Sequence, residues 1–294
     1  MTEELRDSDW KRLLLRIKEK KCTPFLGAGA SFGSLPLGAD LAEELAKRYS
    51  YPFADRDLVR IAQYGALHED PNAPKEDVIQ ILRAAGPPKY KPPEFSVDGE
   101  PHGTLAGLPL PVFITTNYDH FMIDALNWKQ KDPHQEICRW YQHLQKRPSV
   151  FDQELNYTPS PANPLVFHLH GSMNVSESLV LTEDDYLTFL ASMMVTSQLL
   201  PPPIENAIAT TTLLFIGYRL GDWNFRVMFQ ALRPRNQFSS VVVLKPPDET
   251  DPQMEAQQEY FKKYFAAMDM KIFWGTARQF CTQLKQRWQA VDPF

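Results

Sequence analysis

The chain has 294 residues, 43% of them apolar, which is enough to bury a large core in one large domain or two unequal ones and excludes a disordered protein. Lys plus Arg number 31 against 36 for Asp plus Glu, a formal charge of −5, and no basic run is longer than Lys18-Glu19-Lys20-Lys21, so direct nucleic-acid binding is disfavoured. Cys22, Cys138 and Cys281 are widely separated with no Cys-x-x-Cys pair, which rules out a four-cysteine zinc site and a disulfide framework.

The N-terminus is acidic, and no stretch approaches the roughly 18 apolar residues a membrane span needs. The expectation is therefore a cytoplasmic protein without signal peptide or membrane segment. Trp10, Leu13, Leu14 and Ile17 fall at helical spacing and predict a first helix docked on the core. An apolar strand follows at about 22–27, then the loop Gly27-Ala28-Gly29-Ala30-Ser31, then a helix through Leu41, Leu45 and Tyr49.

Residues 51–110 differ in character. Short helical pieces at Leu58–Leu67 and Val78–Ala85 lead into a Pro-rich stretch from Gly86 to Pro111, which cannot continue a helix or a central strand. They read as an inserted, mostly helical subdomain within an αβ domain made of 1–50 and 111–294. The αβ pattern resumes with strand Val112–Thr115 and helix His120–Leu126, and an irregular segment at about 129–163 precedes strand Leu165–His170.

Thr182-Glu183-Asp184-Asp185 fits a capping box opening a helix. Then come strand Leu213–Gly217, helix Trp223–Leu232, strand Val241–Leu244, a helix at about 254–267, strand Lys271–Trp274 and a closing helix. Near-continuous apolar strands separated by helices predict strands buried on both faces: an α/β fold with a doubly wound, mostly parallel, Rossmann-like sheet.

Ligands of such sheets bind beyond the carboxyl ends of the strands. Four successive strand ends here carry polar clusters: Gly27 to Ser31, Thr116-Asn117-Tyr118-Asp119, His170-Gly171-Ser172, and Gly217-Tyr218-Arg219-Leu220-Gly221-Asp222-Trp223-Asn224. Each also has a plainer use. The glycine loop departs from the dinucleotide fingerprint, because Phe32 stands at the third glycine position, and it reads equally as a phosphate loop or a tight turn. Asn117, Asp119 or Asp222 can simply cap the helix that follows.

His168 and His170 alternate with Phe167 and Leu169, which puts both on one side of a strand; periodicity does not choose between them. His170 stands nearer the strand end and precedes a glycine, which leaves room for a ligand. The other five histidines lack metal-ligand spacing, so no metal is assigned.

GAGAS, TTNYD, LHGS and IGYRLGDWN, in that order, resemble the blocks of the sirtuin-like NAD-binding family, specifically its prokaryotic NAD-hydrolysing branch of antiphage defence. The compact layout is similar to standalone subunits that work with a HerA-type hexameric ATPase. The resemblance implies NAD as substrate, with Gly27, Ala28, Gly29 and Ser31 cradling its pyrophosphate and Asp119 bonding the nicotinamide carboxamide beside Thr116. It implies Asn117 positioning water or ribose, His170 as general base towards a ribose hydroxyl, and Gly217, Tyr218 and Asp222 against the adenosine half. Because an unrestrained NAD hydrolase would kill its host, the expectation is also a homo-oligomer or control by a partner in trans.

Two departures separate this chain from deacylase sirtuins. The Gly-x-Pro-Asp-Phe-Arg stretch is replaced by Gly33-Ser34-Leu35-Pro36-Leu37-Gly38, and the cysteines for the zinc module are missing. The expectation is an NAD glycohydrolase releasing nicotinamide and ADP-ribose. The alternatives are a regulatory subunit that binds NAD or ADP-ribose, and an NAD-dependent protein deacylase.

Overall fold

The computed structural model describes residues 5–195, 199–219, 238–247 and 250–291. Seven strands, β1 (Cys22–Leu26), β2 (Val112–Thr115), β3 (His134–Ile137), β4 (Leu165–His168), β5 (Thr212–Ile216), β6 (Ser240–Leu244) and β7 (Met270–Trp274), form one sheet. All pair in parallel, in the order β3-β4-β2-β1-β5-β6-β7. The chain builds outward from β1 through β2 and β4, then returns to the other flank of β1 as β5. That reversal makes the β1–β5 boundary the place where a crevice opens beyond the strand ends.

The central strands are buried throughout, and alternate residues feed two apolar layers. On one face Phe25, Ile114, Phe167 and Phe215 meet α8 (Glu183–Val195), α9 (Pro202–Thr210) and α10 (Met254–Ala266). On the other, Leu26, Phe113, Val166 and Ile216 meet α1 (Asp7–Lys18), α5 (Pro101–Ala106), α6 (Phe121–Trp128) and α11 (Ala277–Val291). Pro24 sits in the middle strand, where a missing N–H ordinarily breaks a ladder. Pairing of β1 with β2 begins only at Phe25, so the proline lies outside that ladder.

A third apolar cluster joins α2 (Gly38–Arg48), α3 (Leu58–His68) and α4 (Ala73–Ala84) through Leu45, Ile61 and Val78, with Leu181 reaching it from before α8. Polar ties fasten α3 and α4 to the start of α8. Lys75 Nζ donates to Asp185 Oδ1 at 2.8 Å, and Gln63 exchanges two bonds with Asp184. The capping box forms with Asp185 as its acid: the Asp185 N–H donates to Thr182 Oγ1, and the Thr182 N–H to Asp185 Oδ2.

The structure adds elements that the sequence pattern does not reveal. The Pro-rich stretch holds α5, because Pro101 occupies the first helical position and the Glu100 carboxylate accepts the Gly103 N–H. The segment at 129–163 contains β3, whose polar His-Gln-Glu-Ile sequence pairs, among the described residues, only with β4 at the sheet edge, and the short α7 (Val150–Gln153). Strand β4 ends at His168, two residues earlier than expected. The expected helix Trp223–Leu232 lies outside the described residues.

Phe25 and Phe215 are register partners with ring centroids 4.9 Å apart and no exposure. Phe215→Ala is expected to lower unfolding stability by about 3–5 kcal/mol, read from urea denaturation monitored by circular dichroism.

Candidate functional site

The ends of β1, β2 and β5 are locked together before any ligand is considered. The Gly27 N–H donates to the Ile216 carbonyl and the Gly29 N–H to the Gly217 carbonyl, both at 2.9 Å. Residues Ala28–Ser31 form a single 3₁₀ turn. Gly217 has φ +87°, a region favouring glycine, and a Cβ there would collide with Ala30 N and Gly27 O. A Cβ on Gly29 would lie 2.9 Å from the Gly217 Cα. These glycines let two backbones touch across the reversal point, and within the loop Ala28 is exposed and Gly29 half-buried.

The side chains of the β2 end turn back onto this junction. Asn117 Nδ2 donates to the Gly27 carbonyl at 3.1 Å and to Ser31 Oγ at 3.3 Å, and Ser31 Oγ donates to Asp119 Oδ2 at 3.0 Å. Thr116 Oγ1 and Tyr218 OH lie 3.2 Å apart and both reach the Leu26 carbonyl. Asp119 Oδ1 also accepts the Phe121 N–H that opens α6, although His120 is the N-cap residue there, and Asn117 bonds no N–H of that helix. Ser31 spends its hydroxyl within this network.

Asn117 is thus held on three sides and presents a fourth. Its N–H donates to Thr115 Oγ1 at 2.9 Å, and its carbonyl accepts from His168 Nδ1 at 3.2 Å. With Nδ2 committed inward, Oδ1 has no donor among the described residues. A carboxamide oxygen fixed in this way is an acceptor awaiting a hydroxyl or a water.

The two histidines do not share a side. The alternation of a strand ends with β4 at His168, and His170 lies in the turn beyond. The His168 ring lies 5.7 Å from that of His120, on the α6 side. His170 packs edge-on against Phe189 at 5.1 Å and Tyr186 at 5.6 Å, both from α8. The glycine after His170 does not leave room for a ligand: Gly171 has φ +86°, and a Cβ there would strike the Ser178 carbonyl. The main chain itself fills that space.

Each of these rings carries an Nε2 that is buried without a hydrogen-bond partner among the described residues. Such orphans are rare in folded proteins and call for an explanation. Burial pushes the His170 pKa down to about 4. Burial likewise pushes His168 to about 3, His120 adding to the effect and the backbone at Asn117 and Gly171 offsetting part of it. His120, lowered mainly by burial, pairs through Nε2 with Ser172 Oγ, which also accepts from Gln135.

The structure therefore brings Gly27, Gly29, Ser31, Thr116, Asn117, Asp119, Gly217 and Tyr218 into one bonded cluster. His170 stands apart from it, bonded to none of its members. Asp222 lies outside the described residues. The roles of Thr115 and His168 around Asn117 are not read from the sequence; the only signal is that both close their strands. Among the described residues no group of His, Cys, Asp or Glu is arranged to hold a metal ion, and no helix is long and apolar enough to cross a membrane.

A seven-stranded parallel sheet with a polar cluster over its reversal point defines a doubly wound α/β protein of the Rossmann-like kind. Residues 111–268, more than half of the chain, match the SIR2-like domain, and the chain belongs to that family. The matched span contains Asn117, His170 and Gly217 but not the Gly27–Ser31 loop.

The chain is 27% identical over 229 residues to the NAD(+) hydrolase ThsA of Enterococcus faecium, covering 76% of this chain and 42% of that protein. It is 26% identical over 255 residues to ThsA of Bacillus cereus strain MSX-D12, covering 83% and 47%. Defense-associated sirtuin 2 of Bacillus subtilis is 32% identical over 123 residues, 41% of this chain and 10% of that protein. The chain spans about half or less of the length of these curated relatives.

Gly217→Ala is expected to lower the melting temperature by several degrees and to separate the β1 and β5 ends, seen as faster amide exchange at Gly27 and Gly29. The unfolded chain takes up the protons of His168 and His170 near pH 6.5, whereas the folded protein does so only near the depressed values. The stability they contribute is intact above about pH 6.5 and is lost as pH falls towards about 4 for His170 and about 3 for His168. Urea midpoints should fall over that window, and neither ring should titrate by NMR above about pH 5.

Proposed function

We propose that the chain is an NAD+ glycohydrolase that cleaves NAD to nicotinamide and ADP-ribose and serves antiphage defence by depleting NAD. The observation that carries this is the fixed Asn117: its amide nitrogen is tied to Gly27 and Ser31, and its Oδ1 is left as the acceptor beside the glycine junction. The longer relatives named NAD(+) hydrolase ThsA support the same chemistry.

The reaction asks little of an acid. Nicotinamide leaves from a ring nitrogen that already carries positive charge, so the bond to the ribose breaks without protonation. What remains is to hold the ribose, stabilise an oxocarbenium-like centre and deliver water. Asn117 Oδ1 accepts from the attacking water or a ribose hydroxyl and places its dipole where positive charge develops. The pyrophosphate lies over the loop at exposed Ala28, because the Gly27, Gly29 and Ala30 N–H groups are already bonded within the junction, with Asp119 and Thr116 on the nicotinamide side and Gly217, Tyr218 and Asp222 on the adenosine side. His170, neutral in the folded protein, takes the proton from a ribose hydroxyl or the water once α8 yields and the substrate reaches its unpartnered Nε2.

Control by self-association or by a partner in trans, a HerA-type hexameric ATPase, completes the proposal, because unrestrained NAD hydrolysis is toxic to its own cell. A strictly monomeric, fully active protein by light scattering contradicts that part.

One observation favours a second reading. The His170 ring is sealed by Phe189 and Tyr186, as suits a subunit that binds NAD or ADP-ribose without cleaving it. Turnover of NAD by the purified chain, with and without the ATPase, separates the two by chromatography of the products. Cleavage predicts that Asn117→Ala and His170→Ala each lose ~10²–10⁴ in rate. Intact nucleotide recovered from the denatured protein, with no turnover under any condition, supports the second reading.

A further inference from the structure

We infer that His168 is a positioning residue for Asn117: its Nδ1–H grips the Asn117 peptide carbonyl and so fixes where the Asn117 carboxamide oxygen stands. The inference rests on the reading of Asn117 as the residue that orients the attacking water or ribose.

Asn117 lies two residues beyond the end of β2, where its peptide groups have left the sheet ladder and still need partners. Both partners come from side chains. Thr115 Oγ1 accepts the N–H at 2.9 Å, and His168 Nδ1 meets the carbonyl at 3.2 Å. Thr115 and His168 are the last residues of β2 and β4 and face each other in the ladder between them. The register of two strands is thus converted into the placement of one loop peptide.

The chemistry of the pair fixes the tautomer. A carbonyl oxygen only accepts, so Nδ1 carries the proton and, in the neutral ring, Nε2 is a bare lone pair. That lone pair is fully buried and has no donor among the described residues. His120, the neighbouring titratable side chain, is engaged with Ser172 Oγ instead. An aliphatic side chain at this position would avoid the orphaned nitrogen. What the imidazole provides in return is the bond to Asn117.

The test uses the full chain with His168→Leu, which cannot donate, and His168→Asn, whose amide nitrogen occupies the δ position and can. For NAD cleavage, His168→Leu is expected to lower kcat by ~10²-fold with KM nearly unchanged, as misplacement of a catalytic group does. His168→Asn should restore most of that loss. In an Asn117→Ala background, His168→Leu should add nothing further.

Two readouts do not depend on turnover. The Tyr118 amide resonance, in the peptide plane that carries the Asn117 carbonyl, should move in His168→Leu and stay in place in His168→Asn. Ring ¹⁵N spectra of the wild type should show the Nδ1–H tautomer at His168. Equal losses in both variants, losses that add to that of Asn117→Ala, or an Nε2–H ring overturn the positioning role. A wild type that leaves NAD intact overturns the cleavage proposal, while the Tyr118 shift and the tautomer still decide whether His168 holds Asn117. If His168→Leu does not fold, His168→Asn and the wild-type tautomer decide alone.

Discussion

The polar cluster over the sheet's reversal point is arranged around a contact between two stretches of backbone. Where β1 and β5 end, Gly27 and Gly29 lie against Gly217 so closely that no side chain fits on any of the three. The reversal of strand order puts these ends side by side, and the missing Cβ atoms let them bond directly rather than through side chains. Once that junction is set, the Gly27 carbonyl becomes a fixed acceptor. Asn117, Ser31 and Asp119 then hang from it as a chain of buried hydrogen bonds.

A buried network of this kind is stiff because each partner lacks an alternative. Leaving a buried donor unmade costs about 1–3 kcal/mol, more than the net gain from making an ordinary bond. Asn117 has both peptide groups and its amide nitrogen so constrained, and rotation of its side chain would strip Nδ2 of its bonds to Gly27 and Ser31. Its free oxygen therefore stands in one place without needing a ligand to put it there. Preorganisation of this sort is what an active site requires of a dipole. His170 is organised differently, by apolar packing against two aromatic rings, which restrains the ring without satisfying its nitrogen.

Much of this was legible in the sequence, for identifiable reasons. Strands such as Leu213 to Ile216 are apolar without interruption because both faces are covered, and this sets them apart from amphipathic helices. Polar residues crowd the carboxyl ends, so four short motifs marked the right end of the sheet. What stayed hidden depends on partners distant in sequence. Strand β3 is polar and sits at an edge, so its identity comes from β4 rather than from its own pattern. Alternation placed His168 and His170 together because it assumes that a strand continues, and β4 stops between them. The glycines suggested a phosphate loop, but their partner across the junction is visible only once β5 is folded beside β1.

The tie between Lys75 and Asp185 bears on how the far side of the molecule behaves. Asp185 closes the capping box of α8, and the next residue, Tyr186, together with Phe189 one turn on, covers His170. Sliding α8 away from the imidazole would strip a buried ammonium of its counterion and undo the first turn of the helix in the same motion. The aromatic cover over His170 and the tie to α4 are consequently anchored at the same end of α8.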